Sequence, residues 1–248
     1  MLSFPNAKIN LGLHVLRKRE DGFHDIETVF YPIEMHDSLE ILPAEEHFLK
    51  QYGLKLPRGE NLVTKAYNLL YERYHLPPIS VHLLKHIPSG SGLGGGSSDA
   101  AYTLVMLNDM FNLDISPAGL EKYAAQLGSD CAFFIKNKPA IATGRGEVLE
   151  DIDLELSGYE IKVIHPGIHI PTPEAYSMVH PDKERPSLRE IIARPVSEWK
   201  TGLVNDFEKP IFEKHPEIRK LKEKMYEDGA VYASMSGSGS SIFGIFRK

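Results

Sequence analysis

Residues 88 to 101 read Pro-Ser-Gly-Ser-Gly-Leu-Gly-Gly-Gly-Ser-Ser-Asp-Ala-Ala, with five glycines between positions 90 and 96. The flanks make this run restrictive. Before it, Ile79 to Lys85 alternates as a strand does, and after it Ala100 to Phe111 places Ala101, Leu104, Val105, Leu107, Met110 and Phe111 on a helical face. The order is therefore strand, glycine-rich loop, helix. Glycines let the backbone turn its N–H groups inward at φ values that a side chain opposes. The helix start adds unpaired N–H groups and the positive end of a dipole. The product is an anion cradle suited to phosphates, with Gly94 and Gly95 approaching the ligand as bare backbone and Gly95 expected at positive φ.

Other phosphate loops fit less well. A Walker A loop ends in Gly-Lys-Ser/Thr, and no lysine lies within this one. Gly90-x-Gly92-x-x-Gly95 matches the dinucleotide fingerprint on paper, but that unit needs a second strand after the helix. Here Asn112 to Pro117 leads into a second helix, Ala118 to Leu127. The H-R-D and D-F-G signatures of protein kinases are absent. A flexible surface linker would not be embedded between two core-forming elements.

The stretch Pro88 to Ala101 resembles the phosphate loop of the GHMP kinases, whose general pattern is P-x3-G-L-G-S-S-A, in a glycine-expanded form, GLGGGSSDAA. Two more stretches resemble the family in order along the chain. Pro5-Asn-Ala-Lys-Ile-Asn-Leu11 is similar to the first motif, P-A-K-I/L-N-L, with one extra Asn6. Ala233-Ser-Met-Ser-Gly-Ser-Gly-Ser-Ser-Ile-Phe243 is similar to the third, M-S-G-S-G-x-x-x-F. The resemblance spans the whole chain and implies an α+β fold of two domains, 1–146 and 147–248, with the active site in the cleft between them. It implies that Pro88, Gly90, Gly92, Leu93, Gly94, Gly95, Gly96, Ser97 and Ser98 bind ATP, with Asn61 and Lys85 bordering the nucleotide. Read from the residues alone, Asn61-Leu62-Val63 fits a core-facing helix start and Lys85 an exposed strand lysine equally well.

Residues Ala7 to Leu16 form a strand with Ile9, Leu11, Leu13 and Val15 on one side and Lys8, Asn10, Gly12 and His14 on the other. The second set fits a wet face, yet lysine and asparagine are depleted in strands. In the family the corresponding lysine and asparagine face the active site, which marks Lys8 and Asn10. Asp21-Gly22 signals a turn with a return strand from Ile26 to Ile33. Asp21-Gly-Phe-His24 resembles the family's cytidine signature, D-G-Y-H. Phe23 keeps an aromatic face for stacking and lacks the hydroxyl. By itself a lone histidine such as His24 is more often a surface or structural residue than a ligand.

Residues 34 to 60 read as short strands and turns without chemistry, and Asn61 to Tyr74 as a helix ended by Pro77-Pro78. Gly128-Ser-Asp-Cys-Ala-Phe-Phe134 places Asp130 just past a helix end, where a cap or turn is the ordinary explanation. The family's G-x-D-x-x-F/Y-F segment falls there and implies that Asp130 is the general base. Ile170-Pro-Thr-Pro-Glu-Ala-Tyr176 resembles I-P-T-P-x-x-F and brings in Thr172 and Tyr176, the latter as a second aromatic enclosing cytosine with Phe23. A loop aromatic packing on its own proline fits the spacing as well. Helices are expected at 187–193, 196–206 and 216–228. The Gly-Ser turn near the C-terminus reads as a hairpin. By resemblance its Gly237, Ser238 and Gly239 close over substrate phosphates or support the first loop.

Composition narrows the partners. A chain of 248 residues buries a large core in one large or two modest domains. A formal charge of −6 argues against a nucleic-acid binder. One cysteine, Cys131, fits a reducing compartment. No apolar run approaches the roughly 20 residues of a membrane span, and the N-terminus carries no secretory pattern, so a cytoplasmic protein is expected. The resemblance implies transfer of the γ-phosphate of ATP, with Mg²⁺, to the 2-hydroxyl of 4-diphosphocytidyl-2-C-methyl-D-erythritol in the non-mevalonate isoprenoid pathway. The enzyme would act as a monomer or weak homodimer. Its metal ligands are not legible. The alternatives are another small-molecule kinase of the family, acting on mevalonate, homoserine or a sugar, or a non-catalytic nucleotide-binding regulator on the same fold.

Overall fold

The computed structural model describes residues 1–55 and 61–248, so positions 56–60 of the stretch read as free of chemistry lie outside the described residues. The chain forms two compact units. The first comprises Met1–Lys8, Pro32–Ser89 and Gly94–Lys138, and the second Ile9–Tyr31, Gly90–Leu93 and Pro139–Lys248.

In the first unit a sheet runs in the order β1 (Leu2–Ser3), β4 (Ser38–Pro43), β6 (Ile79–Lys85), β5 (Phe48–Gly53), with β5 parallel to β6 and the other pairs antiparallel. Leu39 pairs with Leu83 and Ile41 with Val81, and all four are fully buried. Among the described residues, four helices belong to this unit: α1 (Leu62–Tyr74), α2 (Gly95–Met110), α3 (Pro117–Leu127) and α4 (Phe133–Lys136). Their limits follow from local chemistry. The Asn61 side chain accepts from the Val63 N–H at the start of α1. Ser116 caps α3 through Gly119, with Pro117 at the first helical position. The strand expected from Ile79 to Lys85 is β6 to the residue.

Helix α2 begins at Gly95, not at Ala100. Two glycines and two serines enter the helix despite poor propensity, because Gly94, at φ 71°, turns the backbone so that its carbonyl already accepts from the Ser98 N–H at 2.9 Å. Gly95 itself has no positive φ, contrary to expectation. A side chain is excluded there by packing, since a Cβ would lie 2.7 Å from Ile87.

The second unit holds two sheets, in the orders β2 (Asn6–Lys18), β3 (His24–His36), β7 (Ala140–Thr143), β8 (Val148–Asp151) and β10 (Tyr232–Met235), β11 (Ile242–Arg247), β9 (Tyr159–Ile164). The first residues of β2 and the last of β3 belong to the first unit. Five helices follow β9: α5 (Thr172–Met178), α6 (Leu188–Ile192), α7 (Trp199–Gly202), α8 (Glu208–Lys214) and α9 (Pro216–Glu227). Leu13, Val15, Ile26, Phe207, Ile211, Ile218, Met235 and Ile242 form part of one core cluster there. The single helix expected over 196–206 is broken into a 3₁₀ turn, Val196–Glu198, and α7. Asn205 is drawn out of any helix because its side chain donates to the carbonyls of Met235 and Gly237, each at 2.8 Å. Helix α8 was not anticipated.

The wet face that the alternation of β2 also allowed is not present. Lys8, Asn10 and His14 are as buried as the apolar residues between them.

Candidate active site

In the first unit the Lys8 ammonium lies 3.3 Å from the Asp130 carboxylate. Lys8 is buried, while the Asp130 side chain keeps 33% of its surface open. Local structure sets both. Asp130 lies in the turn between α3 and α4, where Cys131 N–H donates to the Gly128 carbonyl at 3.1 Å and Phe133 and Phe134 anchor the following turn in the core. Two residues before Lys8, the Asn6 amide exchanges hydrogen bonds with the Asn137 amide at 3.1 and 2.7 Å, and Tyr102 donates to Asn6 at 3.0 Å. This ties the start of β2 to the end of α4.

The glycine loop reaches the same place. A Cβ on Gly94 would fall 3.2 Å from Lys8 Cε and 3.0 Å from the Phe134 ring. Lysine, carboxylate and the bare backbone at the start of α2 therefore converge. Of the serines that follow, Ser98 is fully buried. Cys131, whose thiol burial pushes up to about 11 despite a hydrogen bond with Ser97, is chemically inert.

Lys85 is not an exposed strand lysine. It is enclosed, with its ammonium donating to Asp99 at 2.7 Å and to Asp37.

In the second unit the middle of the loop is held by the glycine-serine turn between β10 and β11. Ser236 donates its hydroxyl to the Gly92 carbonyl at 2.8 Å, and the Ser241 N–H donates to the Ser91 carbonyl at 3.2 Å. Gly92 sits at φ 81°, and a Cβ there would come within 1.9 Å of the Ser236 carbonyl oxygen. A Cβ on Gly90 would press on the His169 ring at 2.9 Å, and Leu93 is fully buried. Asn10 donates its side-chain amide to Thr28 at 2.9 Å and its backbone N–H to the Ser236 hydroxyl at 3.2 Å. Gly237 and Gly239 both take positive φ, and the Ser238 and Thr172 hydroxyls meet at 3.2 Å. The bonds from the turn to the glycine loop come from Ser236 and Ser241.

The hairpin from Asp21 to His24 is pinned by the Asp21 carboxylate, which accepts from the Phe23 N–H at 3.0 Å. Phe23 is 54% exposed, with the Arg145 guanidinium 4.9 Å from its ring centre. The ring stacked on Tyr176 is that of His24, at 4.8 Å and 19° between planes, and Phe207 meets Tyr176 edge-on. His24 therefore joins Phe23 and Tyr176 as a third ring of this region. Burial, and then the charge of Lys18, lower the His24 pKa, so the ring favours its neutral form.

The sequence pattern described as GHMP kinases N terminal domain matches residues 61–138, and the pattern described as GHMP kinases C terminal matches residues 187–248. A Parabacteroides distasonis protein named 4-diphosphocytidyl-2-C-methyl-D-erythritol kinase is 53% identical over 100% of this chain and 92% of its own length. The chain belongs to the 4-diphosphocytidyl-2-C-methyl-D-erythritol kinase family of the GHMP kinases. A solved crystal structure of 4-(cytidine 5'-diphospho)-2C-methyl-D-erythritol kinase superposes on this kinase with a TM-score of 0.85 at 35% identity, covering 99% of this chain and 90% of that one. Methanococcus jannaschii mevalonate kinase, at TM-score 0.71 and 11% identity over 100% of this chain and 90% of its own, shares the fold.

Sequence reasoning missed four residues of this kinase that structure the site: Asp37, Asp99, Asn205 and Ser236. Asp99 stood in the glycine-loop pattern, and Ser236 in the glycine-serine run. Asp37 lay in the stretch read as free of chemistry, which is corrected here: its carboxylate accepts from the backbone N–H groups of His86 and Ile87 at 2.6 and 2.9 Å. Its partners are 48 to 50 residues away, so no local pattern could reveal it.

Proposed function

We propose that the protein transfers the γ-phosphate of ATP to the 2-hydroxyl of 4-diphosphocytidyl-2-C-methyl-D-erythritol. The observation that carries this reading is the Lys8–Asp130 pair lying against the glycine loop at Gly94. Backbone of Gly94, Gly95, Gly96 and Ser97 at the start of α2 receives the ATP phosphates, favoured by the helix dipole. Pro88, Gly90, Gly92, Leu93 and Ser98 shape the loop, and Asn61 borders the nucleotide. Asp130 accepts the proton of the attacking hydroxyl. Lys8 pairs with that carboxylate at 3.3 Å and stabilises charge on the transferred phosphoryl group.

No three His, Cys, Asp or Glu side chains converge as a metal cage among the described residues. Mg²⁺ would be held together with the ATP phosphates, the usual arrangement for this ion, and would offset their charge.

Asn10, Thr172, Gly237, Ser238 and Gly239 line the acceptor side, and Phe23, His24 and Tyr176 select the cytidine end. Base–aromatic stacking is worth about 1–3 kcal/mol. Tyr176→Ala should therefore raise KM for the cytidyl substrate roughly 5- to 150-fold and leave KM for ATP nearly unchanged. His24→Ala should act in the same direction. Equal changes in both KM values would assign Tyr176 to the fold instead. The reading as a whole is tested by ATP consumption with the cytidyl substrate beside mevalonate and homoserine. Turnover confined to the first is expected. Preference for either of the others would assign the chain to another branch of the family.

A further inference from the structure

The glycine loop leaves β6 and enters α2, and a buried cluster of charges lies beneath both ends. Lys85 closes β6, Asp99 lies in the second turn of α2, and Asp37 sits between β3 and β4. All three belong to the first unit and are almost wholly buried. The Lys85 ammonium donates to Asp99 Oδ2 at 2.7 Å and to Asp37 Oδ2. The second Asp37 oxygen accepts from the backbone N–H groups of His86 and Ile87, the two residues that follow β6. On the other side, a Cβ on Gly95 would lie 3.3 Å from Lys85 Nζ. The ammonium is therefore packed under the first residue of α2. A lysine that gripped nucleotide phosphates would keep its charge at the surface, whereas this one is enclosed between two carboxylates.

We propose that Asp37, Lys85 and Asp99 form a clamp that holds the two ends of the phosphate loop together, acting as positioning residues for ATP and not as contacts to it. The proposal rests on the reading of the loop as the ATP site. Buried ion pairs add little net stability, since desolvation cancels most of their attraction, but they fix geometry. Here the geometry fixed is the separation between the last residues of a strand and the first turn of a helix.

The charge balance gives the clamp a signature. Burial pushes the Asp99 carboxyl up to about 7, with Lys85 opposing the rise and Asp37 adding to it. Those two are the charged groups acting on Asp99, one from β6 and one from the β3–β4 connection. The helices packed on α2, namely α1, α3 and α4, contribute none. Above that pH Asp99 adds a negative charge beneath the N-terminus of α2, and that charge opposes bound phosphates. ATP affinity of the parent should fall as pH rises through neutrality.

Asp99→Asn keeps the shape and removes the titration. By calorimetry it should bind ATP as the parent does near about pH 6 and about three- to tenfold more tightly near about pH 8. The nucleotide's own titration is common to both proteins and drops out of the ratio. Lys85→Met should weaken ATP binding about tenfold or more, with KM for the cytidyl substrate nearly constant. If Lys85→Met does not fold, the Asp99→Asn ratio decides alone. Parallel pH profiles for parent and Asp99→Asn would overturn the clamp. So would equal rises in both KM values for a folded Lys85→Met protein. Failure of the parent itself to bind ATP would overturn the phosphate-loop reading, and with it the clamp.

Discussion

Replacing Asp130 with asparagine should lower kcat by about 10²–10⁴-fold, the usual worth of a general base, with both substrate affinities little changed. In energy this is about 3–5 kcal/mol of transition-state stabilisation. Asparagine keeps the shape of the side chain and cannot take a proton. Lys8→Ala should be comparably damaging. Its ammonium is buried 3.3 Å from the carboxylate, so its loss removes the carboxylate's positioning partner and the positive charge beside the transferred phosphoryl group. The two act on one proton and one phosphoryl group, so the double variant should cost much less than the sum of the singles. Single-turnover phosphoryl transfer separates this from slow product release. A rate for Asp130→Asn within a few-fold of the parent's would reduce Asp130 to a turn residue between α3 and α4.

Gly92→Ala should abolish measurable ATP binding. One methyl group is enough, because the new Cβ would stand 1.9 Å from the Ser236 carbonyl oxygen, which is backbone and cannot swing aside. The φ of 81° adds about 1–2 kcal/mol of its own for a residue with a side chain. The loop must move away from the turn between β10 and β11, and the ligand geometry goes with it. Ser236→Ala supplies the graded comparison. It adds no atom and removes the 2.8 Å bond to the Gly92 carbonyl together with the bond accepted from the Asn10 N–H, so about a five- to thirtyfold loss of affinity is expected for two hydrogen bonds. Calorimetry on variants whose thermal unfolding remains cooperative makes the comparison. Full ATP affinity in a folded Gly92→Ala protein would detach the loop from nucleotide binding.

Much of this architecture was legible because it is local. Strand β6 and helices α1 and α3 carry their period, caps and prolines in adjacent residues. The glycine run declared both its loop and its anion chemistry. Two of the plainer alternatives fell for one reason, namely that burial depends on what the rest of the chain brings up. Lys8, Asn10 and His14 alternate with apolar residues and so imitate a half-wet strand, yet other elements cover both faces of β2 there. Lys85 looked free until Asp37 and Asp99 arrived from elsewhere in the chain. The start of α2 was misplaced because helix propensity, which disfavours Gly95 and Gly96, was overruled by the turn at Gly94. The helix read across 196–206 failed because Asn205 is claimed by carbonyls about 30 residues downstream.

The bond from Ser236 to Gly92 joins residues 144 apart in the chain. On the ribosome, a nascent chain that has just made the glycine loop must therefore wait for that distance to be synthesised before the loop has its support. At about 5–20 residues per second the interval is roughly 7 to 30 s. During it, ATP can offer little of the stabilisation that a ligand gives to a folded protein. The nucleotide enters late, and a ribosome stalled inside α9 would hold a kinase with both Lys8 and Asp130 already made and no settled place for its phosphates.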